Sequence, residues 1–303
     1  MLAGYYKKQF LLPYINVGDI QITKLWGIDK MVFQKHIPKF PLGSYVDCIV
    51  YVEGNNKGIG FPKTAMSLAF NLNDSFKLFA DNTFSSFTDF KKYWVAGLQI
   101  QPTYVESYGE SKMVVIQFKT LGAYAFLNEP LRYFTNNYTN LDCVFKKDAD
   151  EVWEQLQEAK TINEKFLVAE KFLYRKLLTT KIPRAKLISS VDFVFKKTEH
   201  ASIKEICKQN NISRKHLNNL FQEYLGISPK MLSSLNRFQS ILHKVSNSKP
   251  GKLTSIAYEL DFFDQAHFNN NFKRFTGLKP NDYIKNIELM PTLKIIPHFL
   301  PVA

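Results

Sequence analysis

One pattern occurs twice between residues 202 and 287, and it fixes most of what that stretch can become. SIKEICKQNNISRKHLNNLFQEYLG runs from Ser202 to Gly226, and LTSIAYELDFFDQAHFNNNFKRFTG from Leu253 to Gly277. Each copy reads as a short apolar helix, a tight polar break and a longer helix that stops at Gly. Ile203, Ile206 and Cys207 are apolar at helical spacing, as are Ile256, Ala257 and Leu260 in the second copy. Such spacing lays one apolar stripe along a helix. Ser213 and Asp264 stand where N-caps belong, because a side-chain oxygen there can accept from a free backbone N–H. Beyond them Leu217, Leu220, Phe221 and Tyr224 mark a buried face, and Phe268, Phe272 and Phe275 mark its counterpart.

The opposite faces carry amides and cations. The first copy offers Arg214, Lys215, Asn218, Asn219 and Gln222; the second offers Gln265, His267, Asn269, Asn270, Lys273 and Arg274. Asn and Gln can pair bidentately with adenine, and Lys and Arg with guanine or phosphate. One such helix pair would fit ordinary packing equally well. Two in one segment, with a helix between them, favour a duplex partner. Pro229 opens that connecting helix, and Met231, Leu235, Phe238, Leu242 and Val245 give it an apolar stripe able to hold both copies. Residues 247–251, NSKPG, are expected to end it.

The stretch resembles the DNA-binding domain of AraC-type transcriptional regulators. The likeness rests on Ile206, Ser213, Leu217, Phe221, Gly226, Ser228, Pro229, Arg237, Ile256, Ala257, Phe262, Phe268, Phe272, Lys273, Gly277 and Pro280, and above all on AHFNNNFKRFTGLKPNDY. The family usually has Gly where this chain has Asp261, and tends to have Ala and Gly where it has Cys207 and Asn211. Asp and Asn tolerate a left-handed turn better than most residues. The resemblance implies a sequence-specific DNA-binding regulator with double-stranded DNA and RNA polymerase as partners. In the family the second, fifth and sixth positions after the cap Ser often face bases; here these are Lys215, Asn218 and Asn219. The corresponding base-reading candidates of the second copy are Gln265, His267 and Asn270. Arg214, Lys273 and Arg274 are the phosphate candidates. His216 lies between the apolar stripe and the polar face, where packing or solvation is expected.

Charge agrees with a polyanionic partner. The chain carries +13, and residues 183–289 hold 17 Lys and Arg against 9 Asp and Glu. A membrane surface would also attract such charge. No run of 18 apolar residues exists, so no membrane span is expected. The N-terminus is broken by lysines, Pro and Asn and does not read as a signal peptide. Cys48, Cys143 and Cys207 are far apart and odd in number, which argues against a disulfide framework or zinc knuckle and for reduced, partly buried thiols in the cytoplasm.

Before residue 148 the texture is that of strands. Val17–Leu25, Tyr45–Glu53, Ala65–Leu72, Gly97–Ile100 and Lys112–Thr120 are short apolar or alternating runs, with turn residues such as GNNKGIG at 54–60 between them. They suggest a sandwich or small barrel. FPKTAMSLAFNL and VAGLQIQPTYVESYGESKMVVIQFKTLGAYAFLNEP resemble the cupin-like domain often found ahead of AraC-type DNA-binding domains, with Pro62-Lys63-Thr64 where members often have Pro-Asp-Gly. In that wider family such domains bind effectors or mediate dimers. His36 is isolated and reads as a surface or packing residue. Glu106 and Glu110 read as exposed turn residues rather than a catalytic pair. No catalytic constellation, metal-ligand set or nucleotide-binding fingerprint stands out, and no cofactor is expected.

Asp148 to Thr179 turns helical. Asp148 or Asp150 can cap; Val152, Trp153, Leu156 and Ala159 share one side, and after Thr161 so do Phe166, Ala169, Leu173 and Leu177. These faces can bury on each other, on the β region, or on a second copy in a homodimer. Residues 179–184, TTKIPR, form the expected linker, after which Leu187, Val191 and Val194 open another helix. The expected architecture is thus α+β. A β-rich barrel or sandwich covers 1–147 and a helical linker region 148–182. An all-α domain of two helix-turn-helix units joined by a long helix covers 183–289, and an irregular tail covers 290–303. The alternatives to a DNA-reading regulator are an interaction module that reads no DNA and an enzyme housed in the N-terminal barrel; the missing constellation disfavours the enzyme.

Overall fold

The computed structural model describes residues 20–22, 31–54, 57–107, 111–127, 129–177, 185–196, 202–248, 252–260, 262–289 and 298–301. The N-terminal part is a sandwich of two antiparallel sheets, not a closed barrel. The larger sheet has the order β1 (Ile20–Ile22), β2 (Met31–His36), β3 (Val46–Glu53), β10 (Lys112–Phe118), β5 (Ser67–Asn71), β8 (Tyr93–Ala96), β11 (Tyr138–Asn140). The smaller has the order β12 (Phe299–Pro301), β4 (Lys57–Gly60), β9 (Thr103–Ser107), β6 (Phe76–Phe79), β7 (Phe87–Phe90).

Alternation decides which residues meet which layer, because successive side chains point to opposite faces. Leu68, Phe70, Val114, Ile116, Tyr93 and Val95 lie on one face of the larger sheet and join the main core. Ala69, Trp94, Met113 and Val115 lie on the other and meet Phe76 and Val105 of the smaller sheet. Helices cover the first face. They include α1 (Tyr124–Leu127), α2 (Asp142–Phe145), α3 (Lys147–Glu158) and α4 (Ile162–Leu177). Phe172 of α4 stands 6.2 Å from the Phe70 ring and 5.3 Å from Phe145. Trp153 Nε1 donates to the Asn71 carbonyl at 2.6 Å, which pins α3 to the end of β5. His36 stacks on Phe166 at 5.3 Å, and its Nε2 lies 3.1 Å from Glu170 Oε1, so it ties β2 to α4.

Several expectations need correction. Gly97–Ile100 is a loop, and the strand lies just before it as β8. A Cβ on Gly97 would fall 1.6 Å from the Phe134 carbonyl oxygen, so this glycine marks a close backbone crossing. Asp148 and Asp150 sit in the first turn of α3, whose N-cap is Lys146. Asp150 instead accepts from Tyr93 Oη at 2.7 Å and Lys92 Nζ at 2.9 Å. Thr161 does cap α4, in a reciprocal pair: its Oγ1 accepts from Glu164 N at 3.2 Å, and Glu164 Oε2 accepts from Thr161 N at 3.0 Å. Glu106 belongs to β9 and lies 3.8 Å from Lys57 Nζ rather than in a turn. Cys143 is exposed, Cys48 buried and Cys207 half-buried, all three free. Glu110, Asp261 and the linker 179–184 fall outside the described residues.

The C-terminal helices are α5 (Ala185–Lys196), α6 (Ile203–Asn210), α7 (Arg214–Tyr224), α8 (Pro229–Ser246), α9 (Leu253–Glu259), α10 (Gln265–Thr276) and α11 (Pro280–Leu289). Their core is continuous with that of the sheets. Among the described residues no helix is long and apolar enough to cross a membrane.

The tail was expected to be irregular, yet residues 299–301 return to the N-terminal part as β12. Phe299 pairs with Gly60 and Leu300 with Ile59, and Phe61 N donates to the His298 carbonyl at 2.7 Å. Leu300 is buried. No local pattern marks a three-residue strand whose partner lies some 240 positions away. Burial, and after it the charge of Lys63, pushes the His298 imidazole down to about 3 from its usual 6.5. The docked tail therefore holds His298 neutral, while a released tail takes up a proton near the usual value. Docking should be complete above about pH 6.5 and weaken as pH falls toward 3. Hydrogen exchange at the Leu300 amide, corrected for its intrinsic rate, should quicken between pH 7.5 and 5. Unchanged protection would contradict this.

Candidate nucleic-acid interface

The two copies of the sequence pattern fold as two helix-turn-helix units with matching termini. In the first, Ser202 caps α6, and Asn211 ends it in the left-handed region at φ 47°. Ser213 Oγ then accepts from His216 N at 3.1 Å to start α7. Leu217, Leu220, Phe221 and Tyr224 are buried, and the helix closes on Gly226 at φ 78°. In the second unit, Phe262 N donates to the Ala257 carbonyl at 3.0 Å across the turn after α9. Asp264 Oδ1 accepts from His267 N at 2.6 Å to start α10. Phe268, Phe272 and Phe275 are buried, and Gly277 stops the helix at φ 75°. Each cap oxygen satisfies a helix N–H that has no partner within the helix.

Helix α8 supports both units. Ser228 caps it and Pro229 fills its first position, where a missing N–H costs nothing. Leu232, Leu235, Phe238, Ile241, Leu242 and Val245 are buried along it, and Met231 is half-buried. The Phe238 ring lies 4.8 Å from Phe275 and 6.2 Å from Phe272. Arg237 is 7% exposed. Its Nη2 donates to the Leu260 carbonyl at 2.7 Å and its guanidinium sits 3.8 Å from the Phe262 ring, so α8 also grips the turn of the second unit.

The sequence-derived site residues divide cleanly from these. Arg214, Lys215, Asn218 and Asn219 are exposed on α7, and Gln265, His267, Asn270, Lys273 and Arg274 are exposed on α10. Some have partners already. Gln265 Oε1 accepts from Thr254 Oγ1 at 3.4 Å, and the His267 ring stands edge-on to Phe262 at 5.1 Å. The Arg274 guanidinium lies 5.2 Å from the Phe275 ring. Asn269 is half-buried, with Oδ1 enclosed and lacking a partner, so it leaves the polar face assigned to it from spacing. Gln222 is likewise half-buried, and His216 is exposed.

Residues 206–286 match the family described as a helix-turn-helix domain. Over those residues the chain folds as two such units. Residues 34–140, which cover most of the sandwich, match a family described as a domain of unknown function. The raffinose operon transcriptional regulatory protein RafR of Pediococcus pentosaceus is 31% identical over 86 residues, covering 28% of this chain and 31% of that protein. An uncharacterized HTH-type transcriptional regulator of Haemophilus influenzae is 30% identical over 87 residues, 29% of each. The chain therefore spans less than a third of the length of these curated relatives. Among solved structures, ToxT from Vibrio cholerae aligns over 78% of this chain and 98% of its own, with 15% identity and a TM-score of 0.44. The AraC-like transcriptional activator CuxR aligns over 70% and 80%, with 12% identity and a TM-score of 0.33.

The helix-turn-helix domain is also fastened to the sandwich, by contacts that spacing could not reveal. Tyr224 at the end of α7 lies 4.1 Å from the Tyr124 ring, and Tyr124 Oη donates to Glu223 Oε1 at 3.2 Å. Thr135 Oγ1 donates to the Gly226 carbonyl at 2.8 Å. A Cβ on Gly226 would fall 2.6 Å from the Leu131 carbonyl oxygen, so both the positive φ and the close approach require glycine there. Gln239 of α8 donates to the Pro62 carbonyl at 2.8 Å, and Phe61 meets Tyr283 of α11 edge-on at 5.7 Å.

Proposed function

We propose that the chain is a sequence-specific DNA-binding transcription regulator whose two recognition helices, α7 and α10, enter two successive major-groove segments. The observation that carries this reading is the pair of exposed amide-and-cation faces on capped helices held by one connecting helix. Successive major-groove faces on one side of a duplex lie about 34 Å apart, and α8 sets the separation within one chain, with DNA bending as the adjustment. Lys215, Asn218, Asn219, Gln265, His267 and Asn270 read base edges, and Arg214, Lys273 and Arg274 hold phosphates. Selection from random duplexes tests the reading: the purified chain should enrich one motif, and no enrichment would overturn it.

Asn219→Ala or Gln265→Ala should cost about 1–3 kcal/mol at one base pair and relax preference there. Repeating the selection with each variant checks this; a profile equally sharp at every position would remove that residue from the reading set.

The sandwich serves as the regulatory half, taking a small-molecule effector or a second copy of the chain. Its fastening to the end of α7 at Tyr124 and Thr135 supports this, since anything that shifts the sandwich bears on a recognition helix. RNA polymerase is the expected protein partner at a promoter. The reading makes the chain a regulator rather than an enzyme.

A further inference from the structure

We infer that Phe263 reads the C5-methyl group of a thymine in the half-site of the second unit. This rests on the DNA-reading function above and adds a contact to it. An apolar residue just ahead of an N-cap usually folds back to pack on the fourth residue of the helix. In the first unit that residue is Ile212, half-buried against the core ahead of Ser213. In the second unit two phenylalanines precede the cap Asp264, and only one can take the place. Phe262 takes it: it is buried, edge-on to Phe268 at 5.3 Å and to His267 at 5.1 Å, beneath the Arg237 guanidinium. Phe263 is left 92% exposed, more than any other large apolar side chain among the described residues.

Its position tells what would cover it. The N-terminal residues of a recognition helix meet base edges in the major groove. Phe263 stands at that end of α10, one residue from the cap and two from the exposed Gln265. A phenyl ring can accept no hydrogen bond from a base and neutralise no phosphate. The apolar group that the major groove presents is the thymine methyl, and Phe is among the side chains that contact it.

The test uses the full chain and the duplex enriched by selection, with each thymine of the second half-site replaced in turn by deoxyuracil, which lacks only that methyl. For the wild type, one replacement should weaken binding about fourfold, the worth of one buried methyl. Phe263→Ala should weaken binding to the thymine duplex by at least as much and lose the penalty for that one replacement. Phe263→Leu should retain part of it. Since the side chain is exposed, both variants should melt with the wild type. Lys273→Ala should weaken every duplex alike and keep the thymine penalty. If Phe263→Ala binds like wild type while Lys273→Ala weakens binding, the Phe263 assignment fails and the DNA reading stands. If Phe263→Ala spares DNA affinity but lowers transcription, the ring faces a protein partner and the assignment fails as well. If neither variant changes binding, the Phe263 and Lys273 assignments both fail; if selection enriches no duplex at all, the DNA reading itself is overturned.

Discussion

Phe238→Ala should destabilise the helix-turn-helix domain by about 3–5 kcal/mol and abolish tight DNA binding. The side chain is fully buried at the middle of α8, against Phe272 and Phe275 of α10. Truncating a buried Phe loses its transfer free energy and leaves a cavity that a close-packed core fills only in part. Here the cavity would open where the connecting helix holds α10. A loss of position at α10 separates the two groove contacts, so affinity should fall to that of one unit. Urea unfolding and binding to the selected duplex measure the two effects. Phe238→Leu, which keeps most of the volume, should cost under about 1.5 kcal/mol and leave binding near wild type. Equal, small effects from both variants would mean that α8 is not the shared support.

Removal of the three cations proposed to hold phosphates should have the next largest effect. The triple variant Arg214→Ala, Lys273→Ala and Arg274→Ala should weaken binding on the order of a hundredfold at physiological salt, with little change in sequence preference. Each phosphate contact releases condensed counterions, so log affinity falls with log salt by roughly 0.9 per contact on duplex DNA. Three lost contacts should flatten the salt slope by about three. All three side chains are exposed, so stability should hardly move. An unchanged slope would place the phosphate contacts elsewhere among the basic residues of 183–289. A slope change confined to one sequence would make one of the three a base reader.

The C-terminal half was legible because its signals are local. Period, cap and stop recur within a dozen residues, and Ser213, Asp264, Gly226 and Gly277 fall where spacing put them. Asn211 took the left-handed position ahead of the break, as a mild substitute for Gly would. The sandwich was legible where a strand is long or strongly apolar, as at β3, β5 and β10, or alternates in period two, as in the run 17–25 that contains β1. Short strands such as β6 and β7 carry Lys77 and Asp89, which sit opposite each other across the pair, so their sequence looks like loop. Strand β12 and the Tyr124–Tyr224 contact join residues far apart in the chain, and no window of sequence contains both partners. Asn269 and Phe263 show the limit at the site itself. Helical period assigns a face, but whether Asn269 is enclosed or Phe263 left outside depends on which neighbour takes the space first.

The most direct test of one chain gripping two groove segments is a spacing series. The selected motif should contain two short blocks about one helical turn apart. Duplexes with one to six base pairs inserted between the blocks should bind progressively more weakly. By about five pairs, half a turn, affinity should equal that of a duplex carrying one block. Affinity indifferent to the insertions, or a motif with a single block, would contradict the account.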